Sequence, residues 1–334
     1  MVKSFPRGSA PGPTGLRALH LSNAINSTHG DEAIEQLTAL CNLLARGEAP
    51  PSLAAYLGGA KLMALEKPKG GVRPIAIGEV LRRLVAKCLC KVYEGEAATY
   101  LWPRQIGVAA PLGAEVGSQT VRQWCERNQD STGKLIFVAD FENAFNTVDR
   151  EAFLREVRHH MAGLARWAEW CYSKPSNLFF QGTVIQSQVG VQQGDPIGPL
   201  LFALALQPVI MRLGNIRGLD LAFSFLDDLV LAGDEAAVAE GIKQLQVSAG
   251  NLGLSLNKSK CELVPAAQGG EDINWGLFDN TMKRNLDGGF VLLGAPIGKA
   301  EYCQSVTAER AVKVQSSLDA IGELPDPQVA LALL

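Results

Sequence analysis

Three aspartates stand at the ends of apolar runs, where pairing of the predicted strands would bring their carboxylates together. Asp227 and Asp228 stand side by side between two apolar runs in "FSFLDDLVLAG", and Asp140 ends the apolar run "KLIFVAD". Taken alone, an Asp-Asp pair is more typical of a solvated hairpin turn than of a ligand set. If the strand ending at Asp140 lies beside the hairpin, however, three carboxylates meet at one end of an apolar sheet. Burial and mutual repulsion would then raise their pKa values, and bound cations would relieve both costs.

The residue types around these acids favour a hard cation. Neither apolar run contains His or Cys, and ligation by oxygen alone predicts Mg²⁺ or Mn²⁺. Two such ions about 3.5–4 Å apart activate an attacking hydroxyl and stabilise a leaving oxygen. The three acids therefore predict metal-dependent phosphoryl transfer.

The elements that must position these acids can be predicted from the spacing of apolar residues. It predicts helices from near Asp31 to Gly47, within 79–97, from near Asp149, from about Pro199 to Leu213, and within 235–253. Short apolar runs predict strands or hairpins at 60–78, 134–140, 179–191, 223–233 and 288–298. Because most strands pair as hairpins, an α+β fold with an antiparallel sheet packed on helices is favoured over a doubly wound parallel sheet.

Composition limits the class of protein. With 334 residues, 47% of them apolar, the chain can bury a substantial core, and its net charge of -3 argues against a generally basic nucleic-acid-binding surface. Seven scattered cysteines and four histidines suggest neither a disulfide framework nor a zinc site. The first residues contain no signal-peptide pattern, and no apolar run reaches the ~18 residues that a membrane span needs. We expect an intracellular protein of the nucleus or cytoplasm, neither secreted nor in a membrane.

Five sequence blocks, together with a basic stretch, resemble the reverse transcriptases of non-LTR retrotransposons, in the same order. The blocks are "VADFENAFNTVD", "GVQQGDPIGPLLF", "FLDD", "GLSLNKSKC" and "FVLLGAPIG". Upstream, "PRGSAPGPTGLRALHL" resembles a segment that precedes the polymerase core in these elements and helps to hold template RNA. The resemblance covers residues 6–298, and the ordered coincidence is far more specific than any single block.

The resemblance implies a metal site and an acid for the leaving group. Asp140 and Asp227 correspond to the metal ligands, with Asp228 beside them, and the carbonyl of Phe141 can also contact a metal. Lys260, or with less support Lys258, would protonate the pyrophosphate. The cofactor implied is Mg²⁺, with Mn²⁺ as a substitute.

The resemblance also implies a nucleotide site. Gln193 and the turn at Gly194 would line the incoming nucleotide and template. Between Lys61 and Arg104 the chain has nine Lys or Arg against four Glu, a local positive excess that could simply be a solvated basic loop. By resemblance, however, "KPKGGVRPI" is the hairpin that holds the triphosphate, through Arg73 and one of Lys67 or Lys69.

Phe145 matches the family position whose ring lies under the sugar of the incoming nucleotide. A ring there would clash with a 2′-hydroxyl, which predicts deoxynucleotide substrates, whereas a core position remains open for the neighbouring Phe141 side chain. The chain also departs from the family pattern: Asn146 replaces Asp, Leu226 replaces Ala before the acidic pair, and Gly198 replaces Ser. None of these changes removes a metal ligand.

The resemblance implies a right-hand polymerase with fingers at roughly 6–105 and 150–185 and palm in the rest of 6–298. Residues 299–334 would be the start of an incomplete thumb, whose truncation is expected to weaken primer–template binding without changing the chemistry. Expected partners are an RNA template, a DNA primer and dNTPs, and the oligomeric state cannot be predicted. Two alternatives stay open: a catalytically inactive RNA-binding scaffold, and an RNA-dependent RNA polymerase.

Overall fold

The computed structural model describes residues 1–66 and 70–334, which form an α+β fold. The helices are α1 (Ala18–Ile25), α2 (Gly30–Ala45), α3 (Ala54–Leu57), α4 (Val80–Val92), α5 (Glu94–Leu101), α6 (Gly113–Asn128), α7 (Ala144–Thr147), α8 (Arg150–His160), α9 (Ala162–Tyr172), α10 (Gly198–Leu213), α11 (Glu235–Gly250), α12 (Ala300–Gly322) and α13 (Pro327–Leu333). The strands are β1 (Ala60–Glu66), β2 (Val72–Gly78), β3 (Lys134–Ala139), β4 (Ser176–Phe180), β5 (Thr183–Ser187), β6 (Leu219–Phe225), β7 (Asp228–Asp234), β8 (Glu262–Pro265), β9 (Lys283–Arg284), β10 (Phe290–Leu292) and β11 (Ala295–Ile297).

The strands form two larger sheets and one small hairpin. A central sheet has the order β6-β7-β3-β8-β9, and an outer sheet has the order β2-β1-β4-β5. The central sheet is antiparallel except at its edge, where β8 and β9 run parallel. In the outer sheet the two hairpins β1–β2 and β4–β5 join through a parallel contact between β1 and β4. The third unit is the hairpin β10–β11.

The central sheet is covered on both faces, which explains why the β3 sequence is apolar without a break. Successive side chains of a strand point to opposite faces. Leu135 and Phe137 belong to the larger core, which contains residues of α8, α10 and α11, whereas Ile136 packs in a second core with Val230 and Trp124. Four of the six β3 residues are therefore buried, namely Leu135, Ile136, Phe137 and Ala139, and β3 lies in the middle of the sheet.

Helix α10 lies in the centre of the molecule. Twelve of its sixteen residues are buried, and it packs against α5, α8 and α11. A helix that is apolar all round is expected where it is surrounded by protein. By contrast, the residues of α12 and α13 are all exposed or half-buried.

Most elements expected from the sequence are confirmed. The helices at 30–45, 80–92, 150–160 and 198–213 lie where the apolar spacing placed them, and Asp149 caps α8 by accepting a hydrogen bond from the Ala152 amide at 2.9 Å. The expected antiparallel sheet is correct for its central strands, and the parallel edge pair was not foreseen. Within the described residues, no helix combines the length and apolar character that crossing a membrane requires.

The hairpin at the acidic pair differs in detail from the expectation. Phe225 pairs with Asp228, so the turn consists of Leu226 and Asp227, and Asp228 already belongs to β7. Leu226 has φ +58°. A positive φ at the first residue of a two-residue turn is typical of type II′, a position that usually holds glycine.

Candidate active site

The sheet brings the three aspartates to one end. Strands β3 and β7 are neighbours, and Ala139 lies opposite Leu229. Asp140 therefore follows β3 at the same edge where Asp228 begins β7 and Asp227 occupies the turn. The sequence expectation that three carboxylates meet at the end of an apolar sheet is confirmed.

The three carboxylates act on one another electrostatically. Burial, together with the charges of Asp227 and Asp140, raises the pKa of Asp228 to about 6. Burial and Asp140 also raise the pKa of Asp227, against the opposing effects of its backbone hydrogen bond and of Arg73. Such shifts are expected where desolvated acids of like charge share a site.

The loop before β8 braces this end of the sheet. The Asn257 amide donates to the Asp140 carbonyl at 2.8 Å, and the Glu142 amide donates to the Ser255 carbonyl at 2.8 Å. On this loop the Lys260 Nζ lies 3.9 Å from Asp140 Oδ2. Lys258 instead pairs with Asp279 at 2.7 Å. Of the two lysines left open by the sequence, Lys260 is the one beside the acidic site.

The outer sheet contributes a positive charge. Arg73 lies on β2 opposite Leu65, is exposed, and its charge lowers the pKa of Asp227. The guanidinium is therefore close enough to the acids to act on them through space. Lys67 and Lys69, the other predicted triphosphate ligands, lie outside the described residues.

The turn at Gln193 and Gly194 is tied to the same strand. The Ala76 amide donates to the Gln193 carbonyl at 2.8 Å. Gly194 has φ +122°, and a Cβ built there would lie 2.4 Å from the Ala76 carbonyl oxygen. Only glycine permits this approach, so the turn lies directly against β2, the strand that carries Arg73.

The two phenylalanines are partly core residues. Phe141 is buried and bridges to Leu256. Phe145 is half-buried, and its ring stacks on Phe202 with centroids 4.7 Å apart. Phe141 thus has the core position that the sequence left open for it, and the sugar contact of Phe145 stays a prediction.

A buried polar network supports the site and was not predicted. Arg82 Nη2 donates to Asp195 Oδ2 at 2.6 Å, and Arg82 Nη1 donates to Gln192 Oε1 at 2.7 Å. The Tyr172 hydroxyl also donates to Asp195, at 2.8 Å, and the Gln192 amide group donates to the Gly58 carbonyl at 2.8 Å. In the sequence, Arg82 looks like any other basic residue of an amphipathic helix. The one available signal was that a charged residue occupies a position on the buried side of that helix.

The donor set fits a hard divalent cation. In the part of the chain that the structure describes, no three His, Cys, Asp or Glu side chains stand as a ready-made metal cluster. The carboxylates of Asp140, Asp227 and Asp228 nevertheless supply oxygen donors at the same end of the sheet, and their mutual repulsion is the cost that a cation would remove.

The chain was compared with known proteins. Residues 65–280 match the family described as reverse transcriptase (RNA-dependent DNA polymerase). Two curated relatives are each named retrovirus-related Pol polyprotein from type-1 retrotransposable element R2. The relative from Nasonia vitripennis is 26% identical over 267 residues, covering 77% of this chain and 25% of the relative. The relative from Popillia japonica is 28% identical over 282 residues, covering 78% and 38%.

Solved structures of telomerase are also similar. Telomerase from Candida albicans, in complex with a fragment of telomeric RNA, gives a TM-score of 0.46 at 10% identity and covers 64% of this chain and 43% of that one. Apo telomerase from Candida tropicalis gives 0.48 at 9% identity, covering 64% and 46%. The family match extends over more than half of the chain and includes all three aspartates. The chain therefore belongs to the reverse transcriptase family, in the branch of non-LTR retrotransposons.

Proposed function

We propose that this chain synthesises DNA on an RNA template by two-metal nucleotidyl transfer. The observation that carries the proposal is the meeting of Asp140, Asp227 and Asp228 at one sheet end, with Lys260 3.9 Å from Asp140. The carboxylates, together with the Phe141 carbonyl, would hold Mg²⁺ or Mn²⁺. When bound, such ions stabilise the charge on the attacking and leaving oxygens.

The chain's own residues have distinct parts in this proposal. Arg73, with Lys67 or Lys69, binds the triphosphate and neutralises its oxygens. The Lys260 ammonium gives a proton to the departing pyrophosphate, since general acids act within hydrogen-bonding reach of the leaving group. Gln193 and Gly194 line the nucleotide and template. The Phe145 ring excludes a 2′-hydroxyl, and dNTPs are therefore the substrates.

The fold is assigned to the parts of a right-hand polymerase. Fingers comprise roughly 6–105 and 150–185, palm comprises the remainder up to 298, and 299–334 begin the thumb. The outer sheet supports this division, because it joins β1 and β2 to β4 and β5 from the second fingers segment. The chain spans about a quarter and just over a third of the two curated relatives. Its partners are an RNA template and a DNA primer.

Primer extension tests the proposal. Purified protein is given an RNA template, a DNA primer, dNTPs and Mg²⁺, alongside Asp227→Asn and a matched control, Asp234→Asn. Asp234 ends the same strand, β7, at the end away from the acidic turn, and its carboxylate lies 3.8 Å from Lys134 Nζ. We expect extension by the wild type and by Asp234→Asn, and none by Asp227→Asn. Extension by Asp227→Asn at the wild-type rate would contradict the acidic site, and no extension by the folded wild type would contradict the polymerase.

A further inference from the structure

A short segment between α5 and α6 lies along the acidic hairpin. The Ser224 amide donates to the Arg104 carbonyl at 2.8 Å, and the Ile106 amide donates to the Ser224 carbonyl at 2.8 Å. Gln105 thereby forms a parallel bridge with Ser224 at the end of β6. The segment extends the central sheet by one partial strand, directly beside the turn that carries Asp227.

The Gln105 side chain binds both backbone groups of the turn residue. The Leu226 amide donates to Gln105 Oε1 at 2.7 Å, and Gln105 Nε2 donates to the Leu226 carbonyl at 3.2 Å. Gln105 Nε2 also donates to the Ser224 hydroxyl at 3.3 Å, and Gln105 Oε1 also accepts from the Gly107 backbone amide at 3.1 Å. Gln105 is 1% exposed, so water does not compete for these bonds.

The residue held in this way has an unfavourable conformation. Leu226 has φ +58°, a region that residues with a branched side chain rarely occupy. Gly107 packs directly on it: a Cβ at Gly107 would lie 2.6 Å from the Leu226 nitrogen and 2.8 Å from Leu226 Cγ. Gln105 therefore binds the backbone polar groups of Leu226, and Gly107 packs against the backbone and side chain of the same residue.

We propose that Gln105 is a positioning residue that holds Leu226 at positive φ and so aims Asp227 and Asp228 at Asp140. Without its two bonds to Leu226, the turn relaxes toward negative φ and the acids no longer converge. The inference about the turn stands on the contacts alone, and its consequence for catalysis rests on the proposed polymerase function.

A second buried glutamine provides a matched control. Gln207 is also 1% exposed, and its side-chain nitrogen donates to the carbonyls of Tyr100 and Leu101 at 2.7 and 3.3 Å. It lies on α10, and the groups that it binds are not part of the acidic hairpin. Gln207→Met and Gln105→Met therefore remove the same kind of buried amide, but only the second change releases Leu226.

The activity test measures kcat and the Mg²⁺ concentration for half-maximal primer extension. We expect Gln105→Met to lower kcat roughly 10- to 100-fold, since small displacements of catalytic groups cost this much, and to raise the half-saturating Mg²⁺ several-fold. Gln207→Met should leave the half-saturating Mg²⁺ unchanged. Equal Mg²⁺ requirements in Gln105→Met and the wild type would overturn the proposal.

A rescue experiment separates positioning from a general loss of stability. Asn tolerates positive φ better than Leu does, so Leu226→Asn should reduce the need for the bonds from Gln105. We expect the fall in kcat caused by Gln105→Met to be at least about threefold smaller in the Leu226→Asn background. A fall of the same size in both backgrounds would mean that Gln105 does not act through the turn.

Hydrogen exchange tests the turn without any activity. The Leu226 amide should exchange faster in Gln105→Met than in the wild type, and at the wild-type rate in Gln207→Met, because only the first variant loses its acceptor. If the wild type fails to extend a primer yet shows this pattern, the proposed function fails and the inference about the turn holds. Unchanged exchange at Leu226 in Gln105→Met overturns the inference, whatever the activity.

Discussion

The folded structure makes ionisation of the Asp228 carboxyl group less favourable than it is in the unfolded chain. Burial and two neighbouring acids raise its pKa from 3.8 to about 6. The folded protein therefore binds this proton more tightly than the unfolded chain does, and its stability falls as pH rises from about 4 to about 6. Above this range the full penalty is present in the metal-free protein.

This cost predicts that Asp228→Asn stabilises the metal-free protein. At pH 7.5 with a chelator, the free energy of unfolding should rise by about 1 kcal/mol, a discounted value because the residue is only partly removed from solvent and water screens its charge. The difference should vanish at pH values well below 3.8, the ordinary pKa of the carboxyl, where both the folded and the unfolded protein hold the proton. Urea unfolding at the two pH values measures it, with Asp234→Asn as control; a lower stability of Asp228→Asn at pH 7.5 would contradict the sign.

Phe145 combines a packing contact in the core with the proposed contact to the nucleotide sugar. Its ring is half-buried on Phe202, so one side is available to a substrate. Phe145→Ala should lower the preference for dNTPs over rNTPs about 10- to 100-fold, because the ring no longer excludes the 2′-hydroxyl. The ratio of kcat/KM values for the two nucleotides measures this. An unchanged ratio, with activity retained, would leave Phe145 as a packing residue only.

At the scale of elements, one buried ion pair connects α4 to the turn before α10. Arg82 and Asp195 have side chains 1% and 2% exposed, and Arg82 lies on α4. Removing one partner of such a pair leaves an unpaired buried charge, which typically costs about 3–5 kcal/mol.

Arg82→Met should therefore lower the free energy of unfolding by about 3–5 kcal/mol, and Asp195→Asn in the same chain should restore part of it. Lys91→Met is the control from the same helix, since its pair with Glu94 is solvent-exposed and worth at most about 1 kcal/mol. Urea unfolding of the four proteins is the measurement. A loss for Arg82→Met as small as that for Lys91→Met would show that the pair contributes little.

The same pair shows where sequence reasoning stops. The apolar run of β3 and the helix α10 were predictable, because burial on all sides leaves a local pattern in the chain. Arg82 and Asp195 are 113 positions apart, and Gln105 contacts Leu226 across 121. Their side chains are of ordinary polar types, and nothing near them in the sequence indicates a partner. Contacts between residues far apart in the chain, including the hydrogen bonds from Gln105 to Leu226, are visible only in the structure.

For the molecule as a whole, the net charge of -3 has to be reconciled with the proposed binding of an RNA template. Positive charge is concentrated between Lys61 and Arg104, and Lys61 lines a cleft with Gly12, Thr14 and Gln181. That cleft adjoins the N-terminal segment that resembles a template-binding region. Affinity for a template should therefore depend on few local phosphate contacts, and log affinity should fall with log salt by a slope of about 0.7 for each contact.

Lys61→Gln tests this distribution of charge. We expect it to weaken binding of a single-stranded RNA and to reduce the slope of log affinity against log salt by about 0.7, the value for one phosphate contact. Lys243→Gln, an exposed lysine on α11, should leave the slope unchanged because it is remote in sequence from the basic segment. Fluorescence anisotropy between about 50 and 200 mM salt measures both slopes. Equal slopes for Lys61→Gln and the wild type would place the template away from this cleft, and the attraction for RNA would have to come from another part of the surface.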